Sequence, residues 1–272
     1  METNPIIEME QVSCKAGYKY LLKDITWRVQ PGEHWVVFGM NGSGKTTLLS
    51  IAAGFKSYTA GNVKLFGEAS NSDNVLEMRK KVGWVSSSFF DKYYTRESVM
   101  DIVLSGKYGT LGVEADITLA DRKRARELLA ALHIEYCINA TFDMLSKGER
   151  QNVMIARALF SSPEILILDE PCAGLDVYNR EDLFQTLTAL AEDKQITMIY
   201  VTHYVEEILP IFKNCLLLRK GHIFAQGKTE DLLCDDTMSR FLGHEAHIEQ
   251  QPDGKRTLHI AADKSALVNL IE

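Results

Sequence analysis

The sequence predicts an α/β fold: a mixed sheet with an antiparallel β portion, an inserted α-helical subdomain and a small C-terminal appendage. Three observations predict it. A β-rich run, His34-Trp35-Val36-Val37-Phe38, leads into the glycine-rich loop Gly39-Met40-Asn41-Gly42-Ser43-Gly44-Lys45-Thr46, and a helical stretch follows with Gly54 as its stop. A second run, Ile165-Leu166-Ile167-Leu168, ends in Asp169-Glu170. Four consecutive aliphatic residues suit a central parallel strand buried on both faces, and its carboxyl end is where open α/β sheets bind ligands. Between these two strands the helix signals are concentrated.

The elements follow in order. Residues 1 to about 80 hold β-prone runs, among them Ile25-Thr26-Trp27-Arg28-Val29 and Gly61-Asn62-Val63-Lys64-Leu65-Phe66-Gly67, wrapped around the helix after the loop. The loop is a complete phosphate-binding motif. Gly39, Gly42 and Gly44, with Asn41 and Ser43 between them, let backbone N–H groups turn inward around a β-phosphate. Lys45 neutralises β/γ oxygens, the Thr46 hydroxyl ligates Mg²⁺, and Thr47 completes the nucleotide-binding set. Residues from about 88 to 160 form the inserted helical subdomain, where Thr118 and Asp121 read as a capping box opening a helix with Leu128, Leu129 and Leu132 on one face.

Ser146 starts a further helix as an N-cap, and Gly148 permits close backbone approach there, so its amides and dipole favour an anion; spacing alone equally allows a plain cap. At the end of the aliphatic strand, Asp169 holds Mg²⁺ and Glu170 is positioned to accept a proton from attacking water. Asp176 precedes a helix from Val177 to Asp193 and reads as its cap, which does not exclude an interface role. His203 emerges at the carboxyl end of the run Gln195 to Val201, near the nucleotide. Tyr204 to Phe212 reads as a short helix, Cys215 to Ile223 as a hairpin turning at Gly221, and His247–Gln251 with Arg256–Ala261 as a hairpin around Pro252-Asp253-Gly254. His244, His247 and His259 lack a carboxylate or cysteine at a metal-site spacing.

Composition bounds the partners. The chain has 272 residues, 46% of them apolar, and a net charge of −7, which disfavours a nucleic-acid partner; Arg122-Lys123-Arg124-Arg126 reads as a solvated helix face. Five cysteines without C-x-x-C spacing fit a reducing cytosol. The first residues lack the pattern of a signal peptide, and no run approaches the roughly 20 apolar residues that span a bilayer, so a membrane role is expected to come through another chain.

The order of the phosphate loop, Leu145-Ser146-Lys147-Gly148-Glu149, Ile165 to Glu170, Gly174-Leu175-Asp176 and Val201-Thr202-His203 resembles the ATP-binding cassette (ABC) ATPases, from about Ile6 to Gly227. The resemblance implies a RecA-like core with domain limits 1–234 and an appendage over 235–272. It implies that Ser146, Gly148 and Glu149 form the signature that contacts ATP on the opposite subunit, that Asp176 is the D-loop aspartate, and that His203 bonds the γ-phosphate. Two positions depart from the family. Ser87 stands where most members carry a glutamine; its shorter hydroxyl can reach Mg²⁺ or a water only if the loop moves inward. The adenine-stacking aromatic falls on Ala16 by ungapped alignment, so Tyr18 is taken for that role, with Tyr20 as the other choice. The serine run from Ser86, with Ser105-Gly106, is similar to the ModF-like branch, linked to molybdenum transport or photorepair.

Three functions compete. One is the Mg²⁺- and ATP-dependent motor of a membrane transporter, a homodimer lying on the inner face of the cell membrane with permease subunits. Another is a soluble ABC ATPase in translation, repair or regulation, against which stand the single cassette and the lack of heptad arms. The third is a sensor that binds without hydrolysing, against which Glu170 argues. The transporter motor is the reading favoured, on family analogy.

Overall fold

The computed structural model describes residues 4–70, 74–86, 96–109, 116–192 and 196–261. A four-stranded antiparallel sheet has the order β2-β1-β4-β5, from β1 (Ile7–Ala16), β2 (Lys19–Val29), β4 (Ala60–Leu65) and β5 (Glu68–Ala69). A six-stranded sheet has the order β10-β9-β3-β8-β7-β6. It comprises β3 (Trp35–Phe38), β6 (Val82–Ser86), β7 (Ile165–Asp169), β8 (Thr197–Thr202), β9 (Asn214–Arg219) and β10 (His222–Lys228). Its pairs are parallel except at the β9–β10 edge.

Both faces of the five parallel strands are buried, and their period-2 alternation divides the side chains between two cores. Val36, Phe38, Leu166, Leu168, Met198, Tyr200, Cys215 and Leu217 face the helical side. Val37, Ile165, Ile167, Ile199, Val201, Leu216 and Leu218 face the antiparallel sheet. The helix Lys45–Ala52 lies on that second side, with Leu48, Leu49, Ile51 and Ala52 packed among Ile7, Met9 and Val12 of β1. This sandwich fixes the loop between β3 and the helix at the carboxyl edge of the parallel strands.

The helices Val99–Ser105, Leu119–Ala131 and Lys147–Phe160 pack together on the first side. Thr118 and Asp121 form a reciprocal capping box, and Lys107 Nζ donates to the same carboxylate at 2.8 Å. Leu129 and Leu132 are buried and Leu128 partly so, while Arg122, Lys123, Arg124 and Arg126 face solvent. Arg124 has a structural role: its guanidinium donates to Phe160 O and Ser162 Oγ at 2.7 Å, satisfying the end of the Lys147–Phe160 helix.

The helix expected over Tyr204 to Phe212 is absent. A single 3₁₀ turn, Val205–Glu207, stands there instead. Pro210 has no N–H and disfavours helical backbone before it, and Val205, Ile208, Leu209 and Phe212 are buried by a non-helical path. The β9–β10 hairpin turns at Lys220 (φ 50°) and Gly221 (φ 80°), and a Cβ on Gly221 would lie 2.6 Å from Leu21 O. After Thr229–Leu232, the helix Asp235–Leu242 inserts Met238 and Phe241 into the helical-side core, Phe241 against Phe38 at 5.9 Å. Residues just past 234 therefore pack with the main core. The hairpin of β11 (Ala246–Gln250) and β12 (Arg256–Ile260) follows, with Ile248 and Leu258 against the same core.

Candidate active site

The loop after β3 is held by one internal turn and from two neighbouring segments. Gly39 N donates to Thr202 O at 3.3 Å, Ser43 N to Met40 O at 3.0 Å and Gly221 N to Ser43 O at 2.8 Å. Gly44 adopts φ 108°, where a side chain is strained, and a Cβ on Gly39 would stand 2.5 Å from Leu218 O. Lys45 is buried, and its Nζ donates to Gly39 O at 2.7 Å and Met40 O at 3.4 Å.

The end of β7 brings the acids to this loop. Thr46 Oγ1 donates to Asp169 Oδ2 at 3.1 Å. Burial pushes the Asp169 carboxyl up, and the Thr46 bond and Lys45 charge oppose that rise. Glu170 leaves the strand at φ 50°, a region costly for a residue with a Cβ and one that recurs at functional sites. Its Oε1 lies 3.1 Å from Lys45 Nζ and accepts a hydrogen bond from His203 Nδ1 at 3.2 Å. One carboxylate oxygen thus joins the phosphate-loop lysine to the residue at the end of β8.

A cavity of about 630 Å³ opens above the loop, lined by Asn41, Gly42, Gly44, Lys45, Thr46, Thr47, Asp169 and Glu170 on one side and by Lys19, Tyr20 and Lys220 on the other. Tyr20 lines it and Tyr18 does not. Tyr18 sits fully exposed at the β1–β2 turn, whereas Tyr20, two residues into β2, is flanked by the ammonium groups of Lys15 (4.5 Å) and Lys23 (5.7 Å). Of the two tyrosines considered for base stacking, Tyr20 is the one that borders the cavity. Ser87 lies outside the described residues.

Ser146 and Asp176 form a second locus, away from the cavity lining. Ser146 caps the Lys147–Phe160 helix by accepting from Glu149 N at 3.3 Å, while Ser146 N donates to Glu149 Oε2 at 2.7 Å. Tyr136 OH donates to Glu149 Oε1 at 2.6 Å, and that bond holds the carboxyl below its usual range while the phenol is pushed up to about 12. Asp176 accepts from Asn179 N (2.9 Å) and Asn179 Nδ2 (2.8 Å), which places the amide so close to Gly148 that a Cβ there would lie 2.3 Å from Asn179 Oδ1. Tyr136 and Asn179 were not foreseen. Asn179 at three residues past a capping Asp was a visible cue; its contact with Gly148, 31 positions earlier, had none.

Among the described residues no group of His, Cys, Asp or Glu forms a metal cluster, and His247 and His259 pair instead with Asp235 (2.7 Å) and Glu249 (3.2 Å). No helix among the described residues is long and apolar enough to cross a membrane.

The fold and this loop-and-carboxylate constellation define a P-loop nucleoside triphosphatase. Residues 22–173 match the ABC transporter family model, and the chain belongs to that family as an ATP-binding cassette, an ATPase. It is similar to YlmA of Bacillus subtilis (strain 168), an uncharacterized ABC transporter ATP-binding protein, with 39% identity covering 89% of this chain and 93% of that one. It is similar at 34% identity to the ABC transporter ATP-binding protein ModF of Escherichia coli (strain K12), over 69% of this chain and 39% of that one. Among solved structures it resembles the dimeric cassette MJ0796 in a post-hydrolysis state bound to ADP and Pi. There the TM-score is 0.69 and the identity 26%, covering 82% of this chain and 98% of that one.

Proposed function

We propose that this cassette powers a membrane transporter as a homodimer whose two copies close on two ATP molecules. The observation that carries the reading is a separation within one chain: the Ser146-capped helix start stands outside the cavity that Lys45 lines, and around it Met144, Lys147, Asp176, Val177 and Tyr178 are exposed. The Glu149 carboxylate of the same chain takes Ser146 N, but no phosphate of its own cavity reaches this anion-seeking helix terminus, which fits a second copy's ATP.

The nucleotide fits the cavity on one further point. Ser43 Oγ is buried without a hydrogen-bond partner among the described residues, an orphan that a phosphate oxygen satisfies. Thr46 Oγ1 and the Asp169 carboxylate supply the hard oxygens that Mg²⁺ prefers, and they would hold it. The ion, when bound, neutralises charge on the phosphate oxygens. Arriving phosphates replace Glu170 as the counter-charge of Lys45, leaving the carboxylate to take the proton of the attacking water. His203 donates to the γ-phosphate, and Ser146 with the amides at Gly148 and Glu149 closes its far face from the other copy. Asp176 meets the partner at the same seam. The family's minimal cassette is read over 1–234 with its helical subdomain at about 88–160, the helix Asp235–Leu242 packing onto its core, and the chain docks on a permease at the inner face of the membrane.

Co-expression with the membrane-protein genes neighbouring its own tests the reading. Co-purification of a permease in detergent, with ATPase activity that the permease changes, is expected. Sedimentation with ribosomes or DNA and no permease association would shift it to a soluble ABC ATPase.

A further inference from the structure

We propose that Glu207 is a positioning residue for the reacting centre: its buried carboxylate collects the hydroxyls of Thr202 and Tyr200 and so fixes the backbone on both sides of His203. The 3₁₀ turn Val205–Glu207 directs this side chain inward, where it is 7% exposed. One oxygen, Oε2, accepts from Thr202 Oγ1 at 2.5 Å and from Tyr200 OH at 3.2 Å. Thr202 Oγ1 in turn accepts from Tyr204 N at 3.0 Å, and Thr202 O accepts from Gly39 N. The residues immediately before and after His203 are therefore tied to one carboxylate.

The same network reaches the loop that carries Glu170. Tyr200 has a single phenolic proton and gives it to Glu207, so the thiol of Cys172 donates to the phenolic oxygen, Sγ to Oη 3.2 Å. Cys172 lies two residues beyond Glu170. The carboxyl ends of β7 and β8 are thus joined beneath the Glu170–His203 hydrogen bond.

A carboxylate in this place is costly. Burial pushes Glu207 up, and the Thr202 and Tyr200 bonds, then the charges of His203 and Arg180, work against that. An aliphatic residue would fill the site without the desolvation. What only an acceptor supplies is register between two strand ends, and a displacement of about 1 Å at a reacting group lowers a rate on the order of 10²-fold.

The inference rests on the reading that Glu170 and His203 act at the γ-phosphate, so His203→Ala accompanies the test. Mg²⁺-ATPase activity, ATP affinity and bound-ATP stoichiometry are measured for Glu207→Ala, Glu207→Gln and Thr202→Val. We expect kcat to fall roughly 10-fold to 10²-fold in Glu207→Ala and Thr202→Val with ATP affinity and stoichiometry held. Glu207→Gln, which keeps an acceptor oxygen, should recover most of the rate. A merely structural role would lower stoichiometry and kcat together. The proposal is overturned if both deletions turn over at the wild-type rate while His203→Ala does not, if stoichiometry falls in step with rate, or if the glutamine is as slow as the alanine. Should Glu207→Ala fail to fold, Thr202→Val, which deletes one hydroxyl at constant volume, decides alone. Wild-type turnover in His203→Ala would remove the underlying reading as well.

Discussion

Lys45 Nζ stands 3.1 Å from Glu170 Oε1, so the phosphate-loop cation and the carboxylate at the end of β7 neutralise each other across the floor of the cavity. The lysine is 5% exposed and the glutamate 32%. The pair therefore has a fixed member and a member with access to solvent, and a polyanion entering the cavity competes with Glu170 for the cation.

Replacing Lys45 by alanine is expected to abolish tight nucleotide binding. Truncating one partner of a desolvated charge pair costs about 2–5 kcal/mol, at least ~30-fold in affinity. Equilibrium titration with a fluorescent ATP analogue measures it, and unchanged affinity would sink the assignment of the loop.

Glu170→Gln should bind ATP yet turn over at least ~10²-fold more slowly, the scale for losing a positioned proton acceptor. With hydrolysis blocked, a dimer should accumulate in size-exclusion chromatography with ATP and Mg²⁺. Wild-type turnover would move the base to another group, His203 being the one hydrogen-bonded to this carboxylate.

Gly148→Ala is expected to disable hydrolysis while sparing ATP binding by the monomer. The added Cβ meets Asn179 Oδ1 at 2.3 Å, and the Asn179 side chain cannot swing away without breaking the bond from its Nδ2 to Asp176 at 2.8 Å. Overpacking of this kind costs about 1–3 kcal/mol. Asn179→Ala in the same chain removes the obstacle, so the double variant should regain thermal stability; a double variant as unstable as Gly148→Ala alone would show that the strain lies elsewhere.

What was legible in the sequence follows from the range of the interactions involved. The loop from Gly39 to Thr46, Asp169 with Glu170, and the Thr118–Asp121 box are local patterns whose chemistry depends on near neighbours, and each has its expected local geometry. Tyr18 against Tyr20 was undecidable because both flank one turn, and only the direction of β2 puts one of them on the cavity. The run after His203 was misread as helical because Val205, Ile208 and Phe212 carry helix-like spacing, while Pro210 and the inward pull on Glu207 act through backbone geometry and tertiary contact. Which strand residues face which core was hidden as well, since Ile165 to Leu168 are aliphatic on both faces.

Acid should loosen the helical region through Asp121. Its carboxyl, bonded first by Lys107 and then by Thr118, is held down to about 2, below its ordinary 3.8. A depressed carboxyl contributes stability that is present above the ordinary value and is lost as pH falls through the folded one, so the window lies between about 4 and 2. Hydrogen exchange of the Leu119–Ala131 amides should accelerate across that window in wild type and be flat in Asp121→Asn. Added salt should shrink the effect, because the Lys107–Asp121 pair is only part-buried.

Ser146 should matter to the ATP of the partner copy and not to its own. The helix it caps starts outside the cavity of its own chain, and both Ser146 and Lys147 are exposed. Ser146→Arg therefore leaves monomer ATP affinity nearly unchanged but abolishes dimerisation and hydrolysis, since a bulky guanidinium at the seam cannot fit against a closed phosphate. Mixing Ser146→Arg with Lys45→Ala sharpens the test, because their heterodimer holds one composite site with an intact phosphate loop facing an intact helix start. Recovery of ATPase activity in the mixture, up to one working site per dimer, is the expected result where a single site turns over alone. Full activity of Ser146→Arg by itself would exclude the closed dimer and leave a hydrolase that works as a monomer.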